Sequence, residues 1–89
     1  MDQERTRRDG GAPPAGIERT PGVVGGAACI ARTRIPVWLL ESYRRLGLDE
    51  PRILANYPTL QASHFAHCWA YVASHRDEIE GAIRANETA

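Results

Sequence analysis

The sequence predicts a mainly α protein: a three-helix bundle preceded by a short extended or hairpin element. Three observations carry that expectation. Glycine and proline crowd the chain before Pro36, and few helix breakers follow it. Beyond Pro36, apolar residues recur at helical intervals. Gly47 and the Tyr57-Pro58 pair then stand where helices should stop.

Eighty-nine residues make a single domain. Met1 to Gly16 holds three arginines, three acids and paired glycines and prolines, with almost nothing to bury. It reads as a disordered leader, with the domain spanning residues 17–89. In Ile17–Ala31, two apolar runs, Val23-Val24 and Cys29-Ile30, flank Gly25-Gly26 and suggest a hairpin. An isolated hairpin is marginal in water, so it should lean on the helices or on a second subunit.

Ile30–Val37, reading I-A-R-T-R-I-P-V, is the pivot. Ile35 precedes a proline and should be extended; Pro36 suits a first helical turn. The octapeptide therefore reads as an extended segment running straight into a helix. Arg32 and Arg34 alternate along it, which in an extended chain aims them the same way.

The first helix should run from Pro36 to Leu46, with Val37, Leu40, Tyr43 and Leu46 on one face. Arg44 and Arg45 fall in its last turn, where the helix dipole favours cations. Asp49 should cap a short second helix anchored by Ile53 and Leu54. The third helix should start near Gln61 and continue to about Asn86. Phe65, Trp69, Val72, Arg76, Ile79 and Ile83 form a 4-3-4-3-4 stripe along it. Its end, with Ile79 and Ile83, is expected to project and to want a partner.

Formal net charge is zero, which excludes a global attraction to nucleic acid or membrane. All eleven basic residues are arginine. Five arginines face three acids between Arg32 and Arg52; two face four from Arg76 onward. A basic middle and an acidic tail suggest two surfaces. With no signal peptide and no transmembrane-length apolar run, a reducing cytoplasm is expected, with Cys29 and Cys68 as free, buried thiols.

No catalytic motif is present. Ser42, Ser63 and Ser74 lack glycine elbows, and no glycine loop cradles a phosphate, so the chain reads as a non-enzyme without cofactor. His64, Cys68, Tyr71 and His75 share a helical face, but His75 lies roughly 10 Å beyond Cys68. No metal site is expected.

A short helix, a turn and a longer helix is the order of a helix-turn-helix, whose second helix enters the major groove. Gln61, Ser63, His64 and His67 would face base edges. Arg32, Arg34, Arg44, Arg45 and Arg52 would hold phosphates.

Arg19-Thr20-Pro21-Gly22, Gly25-Gly26, T-R-I-P-V, Gly47 and Tyr57-Pro58-Thr59-Leu60 together resemble the "domain of unknown function 433" family, over about Ile17 to Ile79. The resemblance implies a homeodomain-like fold and an antitoxin of a type II toxin–antitoxin pair. Such a protein would neutralise a PIN-like ribonuclease toxin and repress its own operon as a homodimer. Arg76, Ile79 and Ile83 would clamp the toxin. The alternative is an interaction module indifferent to DNA. Two departures matter. The family's glycine before Thr-Arg-Ile-Pro is Arg32 here, strained if that position needs a positive φ. The family's threonine and acids at the third helix start are Gln61, Ser63 and His64, which should weaken the cap.

Overall fold

The structure, a computed structural model, describes residues 16–87. The expected leader lies outside the described residues, apart from Gly16.

Two short strands open the fold. β1 (Ile17–Glu18) pairs antiparallel with β2 (Cys29–Ile30), Ile17 opposite Ile30 and Glu18 opposite Cys29. Val23-Val24 does not form a strand; it lies in the connection, which tightens into a 3-10 turn at Val24–Gly26. Ile17 and Ile30 are buried, so the hairpin leans on the helices. At its start, Gly16 has a φ of +83° and lies against α3 (Ala62–Ser74). A Cβ there would come within 2.2 Å of Nδ1 of His67, so only glycine fits this approach.

The pivot octapeptide turns instead of running straight. The Ile30 amide donates to the Ile35 carbonyl at 3.0 Å and the Thr33 amide to the Ile30 carbonyl at 3.0 Å. Pro36 then pairs back with Cys29, and the Val37 amide donates to Ala28 at 2.9 Å. The reason is local: Arg32 has a φ of 63°, a left-handed residue that reverses the chain.

Four helices follow, one more than expected. α1 is Val37–Arg45, with Pro36 just before it. It ends in a paired C-terminal motif: Leu48 donates to the Tyr43 carbonyl at 3.1 Å and Gly47 to the Arg44 carbonyl at 3.0 Å. Gly47 supplies the positive φ, 94°, that this motif requires. α2 is Glu50–Asn56, its Asp49 side chain accepting from the Arg52 amide at 3.1 Å. α3 is followed by α4 (Arg76–Glu87) after a single non-helical residue, His75.

That break overturns the expectation of one long helix with a projecting end. Ile79 and Ile83 are buried, at 3% and 7% exposure, and α4 packs back on α1. Burying each isoleucine gains about 1.5–3 kcal/mol, against about 1 kcal/mol for each helical hydrogen bond lost at the break. An exposed stripe would forgo the larger sum. Glu80 pairs with Arg45 across the α1–α4 contact. The core also holds Val37, Leu40, Ile53, Phe65, Cys68 and Tyr71.

Candidate nucleic-acid interface

Gln61, Ser63 and His67 are exposed at the beginning of α3. Apart from His67, the outward positions here are small and uncharged: Ala62, Ser63, Ala66 and Ala70. His64 is half-buried and has a different task. Its Nδ1 accepts from the Gln61 amide at 2.9 Å. An imidazole thus takes the place of the glutamate that usually reaches back in a capping box.

The angle between α2 and α3 is held by side chains. Trp69 Nε1 on α3 donates to Glu50 on α2 at 2.8 Å. The Tyr43 and Tyr57 hydroxyls meet at 2.9 Å, tying α1 to the end of α2. That shared hydrogen bond, with burial, pushes the Tyr57 phenol up to about 12.

The arginines divide into two sets. Arg44 and Arg45 converge on the buried carboxylate of Glu41, each through Nε at 2.9 Å. Arg44 also stacks over the Trp69 ring at 4.1 Å, and Arg45 reaches Glu80. Both side chains are steered by these ion pairs yet stay at the surface, 45% and 41% exposed. Arg32, Arg34, Arg52 and Arg76 are exposed, and among the described residues their guanidinium groups pair with no carboxylate. Arg32 and Arg34 line one open depression together with Thr20, Thr33 and Thr59. The chain reversal brings them there, not the strand alternation expected.

Sequence reasoning did not single out the threonines as site residues, although Thr20, Thr33 and Thr59 each stand inside a stretch that carries the family resemblance. It also missed what Arg19 does. Arg19 donates to the Tyr71 hydroxyl at 2.5 Å and pairs with Glu78 at 2.5 Å, while Tyr71 donates to Glu78 at 2.8 Å. This cluster fastens the chain after β1 to the junction of α3 and α4. Burial, then the bond to Glu78, pushes the Tyr71 phenol up to about 12.

The face considered for metal is otherwise occupied. His64 caps, Cys68 is fully buried, and the Tyr71 and His75 rings stack at 3.9 Å. Among the described residues no three His, Cys, Asp or Glu side chains are grouped to hold a metal ion. Cys29 and Cys68 are both free and buried. No described helix is long and apolar enough to cross a membrane.

Residues 17–72 match the family described as "Protein of unknown function (DUF433)". The chain belongs to that family. A crystal structure of a DUF433 member protein from Anabaena variabilis ATCC 29413 is 33% identical and superposes with a TM-score of 0.75. The alignment covers 94% of this chain and 99% of that one. Comparison with curated proteins gives no match. Within this DUF433 protein, Arg32 has a φ of 63°, which makes it a strained non-glycine residue. Such strain costs roughly 1–2 kcal/mol.

Proposed function

We propose that this protein is the antitoxin of a type II toxin–antitoxin pair, binding operator DNA through a helix-turn-helix formed by α2 and α3. One observation supports the reading above the others. The exposed start of α3 carries hydrogen-bonding groups and no carboxylate, and the unpaired Arg52 stands on the preceding helix. Gln61, Ser63 and His67 suit base edges; Arg32, Arg34 and Arg52 suit phosphates. A homodimer would present two such helices about 34 Å apart, one duplex turn.

The test is fluorescence anisotropy with a duplex from the protein's own promoter. With about three phosphates neutralised per protomer, affinity is expected to fall about 40-fold per protomer between about 50 and 200 mM salt. No binding at the lower salt would remove the DNA half.

The partner half of the proposal, capture of a PIN-like ribonuclease, now needs another surface, because Ile79 and Ile83 belong to the core. Leu46, 76% exposed, borders an apolar depression shared with Ser42 and Ile83. Co-expression with a PIN-like ribonuclease encoded beside it, where the gene neighbourhood holds one, is expected to give co-purification that Leu46→Arg abolishes. Retention of the toxin by that variant would clear Leu46 of the role.

A further inference from the structure

We propose that the depression between the N-terminal arm, the Ile30–Ile35 turn and the α2–α3 connection is a binding site for a single phosphate ester. It measures about 400 Å³ and is open to solvent on one side, lined by Thr20, Val23, Arg32, Thr33, Arg34 and Thr59 among others. Three separate parts of the chain contribute polar groups, so the site exists only in the folded protein.

Its donors stand ready. The guanidinium groups of Arg32 and Arg34 have no carboxylate partner among the described residues. Glu18 accepts from the Arg32 backbone amide at 3.0 Å and forms no ion pair with the guanidinium. Thr33 is committed to the turn, donating to the Ile30 carbonyl at 2.8 Å and accepting from the Ile35 amide at 3.0 Å. The hydroxyls of Thr20 and Thr59 have no internal partner among the described residues. Two guanidinium forks and two hydroxyls together offer about six donors, more than the roughly four lone-pair sites of a carboxylate. A phosphate ester, with more oxygens in a tetrahedral arrangement, suits them.

The second observation is backbone strain. Arg32 sits at a φ where glycine would be comfortable. Residues held in such conformations cluster at ligand-binding sites, where the side chain is needed despite the strain. The site deepens the DNA reading, and rests on it only for the source of the phosphate. Thr59 lies two residues before Gln61, so a backbone phosphate held here would adjoin the start of α3. A free nucleoside monophosphate offers the same chemistry.

Titrating the full chain with inorganic phosphate, at ionic strength matched with chloride, tests the site by amide chemical shifts. Shifts confined to Thr20, Arg34, Thr59 and their neighbours are expected, saturating at a single affinity. Arg34→Ala should weaken that affinity at least tenfold. Arg32→Gly should weaken it similarly while melting no lower than the parent, because glycine relieves the strain; loss of binding there cannot be blamed on unfolding. Equal shifts with acetate, equal shifts around Arg52 and Arg76, or affinity unchanged by Arg34→Ala would each overturn the proposal. Phosphate that competes with promoter duplex identifies a nucleic-acid phosphate; phosphate that saturates without competing identifies a small ester. Phosphate binding without any duplex binding keeps this site and removes the DNA reading.

Discussion

Alkali is expected to unfold the protein cooperatively between about pH 9 and about pH 12, well before its arginines lose charge. Burial pushes the Cys68 thiol from 9.0 up to about 12, and the Tyr57 and Tyr71 phenols rise from 10.0 to about 12. Cys29 is pushed the same way, by burial first and then by Glu18. The unfolded chain gives up these protons at their ordinary values. Within the window it therefore binds fewer protons than the folded chain, and stability falls as pH rises. Below about pH 9 both states hold the protons and the contribution is fully present. Cys68 has no exposed surface, so its shift alone corresponds to about 4 kcal/mol. That is a large part of the stability of a small domain, about 5–15 kcal/mol. Urea titrations followed by circular dichroism at successive pH values would measure the slope. Cys68→Ala is expected to flatten it. A free energy independent of pH up to about 11 would contradict the burial argument.

Ile79→Ala is expected to lower the unfolding free energy by about 2–5 kcal/mol, the usual loss for truncating a buried isoleucine. The same change in a projecting, solvated helix would stay within about 0.5 kcal/mol, the range expected for the exposed control Arg76→Ala. Urea unfolding separates the two cases through the midpoint, provided the slope with denaturant is unchanged. A falling slope would mean that α4 has already detached in the native state. A loss under about 0.5 kcal/mol would show that α4 does not pack on α1.

These outcomes bear on what a sequence can disclose. α1, α2 and the start of α3 were legible because their signals are local: Gly47 for a left-handed cap, Asp49 for an N-cap, Tyr57-Pro58 for a stop. The break at His75 was not legible. No glycine or proline marks it, and the apolar stripe keeps its register across it. Only the competing surface of α1, distant in sequence, decides that Ile79 and Ile83 turn inward. Arg44 and Arg45 were correctly placed in a last helical turn, yet both pair with Glu41, and Arg45 also with Glu80 from another helix. Arg32 stood out because the family resemblance implies glycine there; its φ gives that departure a physical meaning. The depression around it remained invisible, since Thr20 and Thr59 meet Arg34 only through tertiary folding.

The approach of Gly16 to His67 has a practical consequence for mutagenesis. Replacing Gly16 by alanine would set a methyl group within 2.2 Å of the imidazole and load a positive φ onto a residue with a Cβ. The ring must then swing away, so a change at the start of the hairpin would alter the exposed surface of α3 without touching its sequence.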